Sequence, residues 1–309
     1  MSVEVITPRE VPLGGQRAMT VRRTLPTRER SLIGAWCFLD HYGPDDVADT
    51  GGMSVAPHPH TGLQTVSWLF TGEIEHRDSA GHHALVRPGE LNLMTAGHGI
   101  SHSEVSTPGT TTLHGAQLWL ALPDASRDGA PGFEHYAPPA VGADGWTARV
   151  FLGSLLGETS PVTTFSPLLG AELLLEPGAS LEVAVDVSYE HGVLVDAGVV
   201  RLDGVEVDKD SLAYVADGAS TLALQAGPGG ARLLLLGGPP FGEPIVMWWN
   251  FVGRTHDEVV AARDAWQQQL EAGADPDHYG DGRFGVPVGN VMPAIPAPPL
   301  PNVRLKERH

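Results

Sequence analysis

The sequence predicts an all-β chain, two tandem β-barrels followed by a short C-terminal helix. Three observations predict it. Short runs rich in β-branched and aromatic residues recur between turn signals from the N-terminus to about residue 240. A faint internal repeat aligns Leu69–Ile74 with Val195–Val200, and Thr95-Ala96-Gly97 with Ala216-Asp217-Gly218, as two copies of one small barrel would. Only one segment carries a convincing helical pattern.

Taken in order, Thr65–Phe70 reads as a strand. Arg87-Pro88-Gly89-Glu90 reads as a type II turn, with proline pre-set for the second position and glycine supplying the positive φ of the third. Leu91–Met94 and Leu113–Leu122 are further strands, and the Pro/Gly/Asp-rich stretch 123–146 reads as a linker with a loop. A second β-rich block covers about 147–240. In it Glu176-Pro177-Gly178 repeats the turn chemistry, Arg201–Val205 reads as a hairpin turning on Asp203-Gly204, and Arg232–Leu236 is a buried strand. Thr255-His256-Asp257-Glu258 is a capping-box pattern, and Val259, Ala262, Trp266 and Leu270 follow at helical spacing up to Gly273. The proline-rich tail from Val286 to Pro301 is expected to be extended. The expected domains are therefore 1–135, a metal-binding barrel; 136–285, a metal-free barrel with the closing helix; and 286–309, the tail.

Charge and composition narrow the function classes. Among 309 residues there are 37 acidic and 19 basic ones, a formal charge of −18. Lys209 and Lys306 are the only lysines. Such a chain repels phosphate backbones and anionic membranes, so no direct nucleic-acid or membrane partner is expected. The single cysteine, Cys37, excludes an intrachain disulfide and a cysteine-rich zinc site. Met1–Ile6 lacks the basic and apolar pattern of a leader, and no 18-residue apolar run occurs, so a soluble cytoplasmic protein is expected.

The chemistry lies in the histidines. Of the 14, eight fall between His58 and His114. His58-Pro59-His60 and, some forty residues on, His102-Ser103-Glu104 each place two donors at i and i+2, which share one face of a strand. Two such strands facing each other inside a barrel would gather three imidazoles and a carboxylate. That donor set suits Fe(II), Mn(II), Ni(II), Cu(II) or Co(II), with Zn(II) also accommodated.

Phe38–Pro44, Pro57–Gly62, Gly72–Gly81 and Met94–Glu104, with Gln117-Leu118-Trp119 and Gly242–Val246, carry a family resemblance. The chain resembles the pirins, which are bicupins. The resemblance implies two tandem cupin barrels, with iron in the first held by His58, His60, His102 and Glu104. Thr61 stands where the family often has arginine, Gln64 where it often has glutamate, and His98 where a basic residue is frequent. Many metal cupins place their carboxylate ligand at the Gln64 position. An amide is a poor ligand, so the carboxylate is expected from Glu104. The resemblance further implies quercetin 2,3-dioxygenase activity, with a flavonol and dioxygen as substrates, Glu104 as catalytic base and carbon monoxide as a product. It also implies the alternative of a metal-dependent regulatory protein that binds a transcription factor or metabolic enzyme. A monomer is expected.

Offsets taken from the repeat test the second barrel. They carry the four ligand positions onto Ala184, Asp186, Ala223 and Gln225, which make no ligand set, so a metal-free second barrel is expected and His191 is read as an ordinary histidine. His82-His83 is read as a solvated hairpin tip, His76 and Asp78 as strand-end polar contacts, and His41 as hydrogen-bonded to a carboxylate or backbone group beside the site.

Overall fold

The computed structural model describes residues 2–13, 19–273 and 282–309. The chain divides into two compact units, each made of three stretches. One holds 1–11, 22–41 and 136–241; the other holds 12–21, 42–135 and 242–309. This differs from the boundaries expected at 135 and 285. The helix and the tail belong to the unit of residues 42–135, and the N-terminal strand belongs to the unit of residues 136–241.

The 136–241 unit is built on one sheet in the order Val3–Ile6, Leu212–Val215, Glu190–Leu202, Thr221–Gly238, Leu169–Leu175, Trp146–Leu152 and Val141–Ala143. Val3–Ile6 pairs antiparallel with Leu212–Val215, Val3 opposite Val215. An unpaired edge invites wrong partners, and this N-terminal strand covers one. The sheet's core cluster consists of alanine, valine and leucine alone, including Val193, Val195, Leu222, Leu224, Leu233 and Leu235. The expected hairpin is present. Leu202 faces Val205, and Asp203 and Gly204 both have positive φ, 50° and 84°, as a type I′ turn requires. The stretch read as a linker holds two short strands, Gly132–Tyr136 and Val141–Ala143, which sit at sheet edges. Short edge strands of mixed polarity leave little periodic signal.

Among its described residues the 42–135 unit has two larger sheets and a two-stranded one of Val246–Trp248 and Phe251–Gly253. One of the larger sheets runs Ser54–His60, Ile100–Ser106, Ile74–Asp78, His83–Val86. The other contains, in this order, Gly132–Tyr136, Leu91–Thr95, Leu63–Thr71 and Thr112–Ala121. The predicted turn between Arg87 and Glu90 closes with a 3.1 Å hydrogen bond from Glu90 N to the Arg87 carbonyl, with Gly89 at φ 72°.

The helix spans His256–Ala272, capped by Thr255, whose hydroxyl accepts from Glu258 N at 3.2 Å. Only half of the expected capping box forms. The Glu258 carboxylate accepts from Arg254 N at 2.8 Å and pairs with Arg127 at 3.0 Å. Val259, Ala262 and Trp266 are buried as predicted and pack with Val246, Phe251, Phe284 and Ala297. The next buried position is Gln269 rather than Leu270. Its amide is satisfied on both sides, donating to the Gly285 carbonyl at 2.9 Å and accepting from Phe284 N at 3.1 Å. The proline-rich tail forms neither helix nor strand from Val286 to Pro301 and is laced to this unit. Val288 N donates to the Asp78 carbonyl at 3.2 Å, and Ile295 N donates to the Pro57 carbonyl at 2.8 Å. Among the described residues no helix is long and apolar enough to cross a membrane.

Candidate metal centre

The two i, i+2 pairs lie on adjacent antiparallel strands, Ser54–His60 and Ile100–Ser106, with His102 directly opposite His58 and Ile100 opposite His60. Directly opposed residues share a sheet face, so the local parity of each pair and the register between them act together. All three imidazoles point into the same buried space. Their ring centroids are 5.0 Å (His58–His60), 4.4 Å (His58–His102) and 4.9 Å (His60–His102) apart. One nitrogen from each lies within 4.8 Å of the others. The Trp119 and His60 rings make a T-shaped contact, centroids 5.2 Å apart at 80°.

Glu104 takes a different place. The strand pairing shifts by a bulge between His102 and Glu104 on the Ser54–His60 side. On the other side Glu104 stands opposite His76, and His102 opposite Asp78. Its carboxylate therefore forms a group with His76 and His102, again within 4.8 Å. His102 is shared by both groups. The structure thus brings His58, His60 and His102 together as read from the sequence, and sets Glu104 beside His102 and a histidine that sequence reasoning placed at a strand end. The signal for that histidine was present: His76-Arg77-Asp78 has the same i, i+2 parity as the ligand pairs. The pair does make the expected strand-end polar contact, His76 Nε2 to Asp78 Oδ2 at 3.2 Å, and the contact is buried, with His76 2% and Asp78 0% exposed.

Electrostatics leave the three imidazoles neutral. Burial holds His58 at about 4 against an ordinary 6.5. Burial, then the neighbouring imidazoles, holds His60 and His102 well below that ordinary value. Burial raises the Glu104 carboxyl, against the opposing pull of His76 and Ser67. Asp78 goes the other way: burial pushes it up, but hydrogen bonds from His76 and His82 prevail and hold it below the usual range. Ser67 Oγ lies 3.2 Å from Glu104 and 3.0 Å from the Gln117 side-chain amide. A hydroxyl has one proton. Given to Glu104, it leaves the oxygen to accept from Gln117 with the amide turned. Gln64 is buried and spends its amide on Thr95 Oγ1 at 2.9 Å.

The donor set fits a transition-metal ion. His58 Nδ1 lies 2.9 Å from the Ala56 carbonyl and must donate to it, so Nε2 carries the lone pair. His60 Nε2 and His102 Nε2 are 3.0 Å apart. Two nitrogens bound to one ion at about 2.1 Å and at right angles are about 3.0 Å apart.

The positions singled out by offset in the other unit look outward. Ala184, Asp186 and Gln225 are exposed and Ala223 is half-buried, while Val183, Leu222 and Leu224 beside them point into the core. His191 is fully buried. His41 does bond a carboxylate, Nε2 to Asp196 Oδ1 at 2.6 Å, but both belong to the 136–241 unit. His82 reaches the Asp78 carboxylate at 3.1 Å, and His83 reaches Glu75 at 2.6 Å, so the hairpin tip is paired rather than merely solvated.

A family profile described as Pirin matches residues 18–120, and one described as Pirin C-terminal cupin domain matches residues 170–270. The chain belongs to the pirin family. This pirin is 45% identical over 297 residues to a Pseudomonas aeruginosa protein provisionally named a quercetin 2,3-dioxygenase, covering 96% of this chain and 90% of that one. It is 37% identical to a pirin-like protein of Caulobacter vibrioides over 84% of this chain and 91% of the relative. The crystal structure of a quercetin 2,3-dioxygenase from Acinetobacter baumannii superposes with a TM-score of 0.89 at 39% identity, covering 98% of this pirin and 97% of that chain. The fold is the expected all-β bicupin.

Proposed function

We propose that His58, His60, His102 and Glu104 hold one divalent transition-metal ion, iron(II) by the family resemblance, and that this pirin opens flavonols such as quercetin with dioxygen. The products are a depside and carbon monoxide. The observation that carries the reading is the convergence of three buried, uncharged imidazoles beside one buried carboxylate whose pKa is raised. The names of the Pseudomonas and Acinetobacter proteins support the same substrate class.

A flavonol must lose its 3-hydroxyl proton to become electron-rich toward dioxygen. Glu104, the one carboxylate of the set, takes that proton. The Gln117–Ser67 chain points a hydroxyl at the carboxylate and fixes its orientation. Neutral imidazoles keep their lone pairs free at neutral pH, and burial of the whole cluster excludes competing water. When bound, the ion supplies Lewis acidity toward the flavonol oxygen and a meeting place for dioxygen.

Oxygen consumption and carbon monoxide release by the iron-loaded protein with quercetin test this directly. Stoichiometric uptake that disappears with Glu104→Gln is expected. No flavonol-dependent uptake, under conditions where an established quercetin dioxygenase turns over, overturns it.

A further inference from the structure

The residues that flank the three-histidine group form a directed chain. Asp78 has no exposed side-chain surface, and its carboxylate accepts from Ala80 N at 2.9 Å and His82 N at 3.0 Å. Its Oδ2 lies 3.2 Å from His76 Nε2. His76 Nδ1, on the opposite side of the ring, lies 3.4 Å from His102 Nδ1. Phe133 covers the outer side, its ring 4.9 Å from His76 and 5.3 Å from His82. A neutral imidazole has one N–H and one lone pair, and an ionised carboxylate only accepts. With both imidazoles neutral and Asp78 ionised, the protons can be placed in one way. Asp78 accepts, so His76 carries its proton on Nε2. His76 Nδ1 is then an acceptor, so His102 carries its proton on Nδ1. What remains is the lone pair of His102 Nε2, and that nitrogen faces His60 Nε2.

We propose that Asp78 and His76 are positioning residues that lock His102 in the Nδ1–H form, leaving Nε2 as its donor atom toward the metal. The tautomer itself needs no metal; its consequence for the ion rests on the metal-centre reading above. A histidine ligand whose second nitrogen is held by a fixed acceptor is both oriented and made a better donor. Here the acceptor is a second imidazole, itself fixed by a buried carboxylate. The competing arrangement uses His76 as a ligand together with His102 and Glu104, which also lie within reach of one another. That arrangement needs a bare Nδ1 on His102 and puts its proton on Nε2. The two are chemically exclusive.

The test is long-range proton–nitrogen NMR of metal-free protein labelled with 15N in its histidines, with metal binding as a second arm. In the wild type His102 is expected to be protonated at Nδ1 and bare at Nε2. His76→Asn keeps an acceptor and is expected to keep this pattern. His76→Phe keeps the ring and loses the acceptor, so His102 should lose its single tautomer. In the second arm cobalt(II) affinity should fall by about 10–100-fold in His76→Phe, with shifted ligand-field bands, and stay near wild type in His76→Asn. A wild-type His102 protonated at Nε2 overturns the proposal. So does a folded His76→Phe protein with unchanged tautomer, cobalt affinity and spectrum. If His76→Phe does not fold, the wild-type tautomer and His76→Asn still decide. The expected tautomer in a wild-type protein that binds no cobalt would remove the metal-centre reading and leave the relay standing.

Discussion

The two cupin units solve opposite problems with related strands. In the 136–241 unit the inner cluster is alanine, valine and leucine throughout, and His191 sits buried at its edge with neither ring nitrogen hydrogen-bonded. In the 42–135 unit one sheet face carries His58, His60, His102, Glu104, His76 and Asp78, all buried. Burying a polar group without a partner costs about 1–3 kcal/mol, and in the second arrangement several members offset that cost for one another. Asp78 serves His76, His76 serves His102, and Ser67 serves Glu104. The unpaired nitrogens of His191 show the contrast. A buried histidine without such a chain is a local cost, and it offers no second donor to share an ion.

The largest effect should come from breaking the polar face. His60→Ala or His102→Ala is expected to weaken metal binding by well over the ~100-fold typical of losing a group that only hydrogen-bonds to a ligand. Metal content after dialysis, and competition with a chelator, measure it. The matched changes in the other unit, His191→Ala and Asp186→Ala, should leave metal content unchanged. Metal lost equally from both sets would dissolve the distinction between the units.

Local chemistry explains what could be read from the sequence. The Asp203-Gly204 and Pro88-Gly89 turns were legible because φ preferences belong to single residues. The i, i+2 histidine pairs were legible because strand parity extends over three residues. The unit boundaries were not, because Val3–Ile6 pairs with a strand more than two hundred positions away, and 242–309 packs with residues that precede the second sheet. The partnership of Glu104 with His76 was hidden for the same reason. It depends on a register across strands and a bulge between His102 and Glu104. The offset test on Ala184 and Gln225 landed on outward positions, since a one-residue slip exchanges the two faces of a strand.

A second prediction sharpens the comparison through pH. Burial holds the His191 imidazole at about 4, against 6.5 when exposed. The unfolded chain therefore takes up a proton on this residue at a higher pH than the folded one. The neutral fold is favoured above about 6.5, and that advantage is lost as pH falls toward 4, with no further change from this group below that. A shift of this size corresponds to about 3 kcal/mol. His191→Leu removes both the titration and the unpaired nitrogens. It should raise urea resistance of the metal-free protein at pH 4–5 more than at pH 7. An equal gain at both values would mean that His191 finds a partner in solution, and the contrast between the units would lose its best case.

The smallest effect tests the repeat itself. Gly97 and Gly218 are the aligned glycines of the two units, and both have positive φ, 52° and 99°. Their surroundings differ. A Cβ on Gly97 would lie 2.1 Å from the Gly129 carbonyl oxygen, while a Cβ on Gly218 would meet nothing within 4 Å. Gly218→Ala should cost only the backbone strain of a left-handed residue, about 1–2 kcal/mol. Gly97→Ala carries that strain and also forces the neighbouring backbone aside, which adds roughly 1–3 kcal/mol. Thermal melts of the two variants give the difference. A larger loss for Gly97→Ala would show that the 42–135 unit packs its turn against the 126–130 loop, a constraint its aligned counterpart does not share. Equal losses would mean that both glycines are kept for φ alone, and that the two units diverge in the residues lining their sheets rather than in their turns.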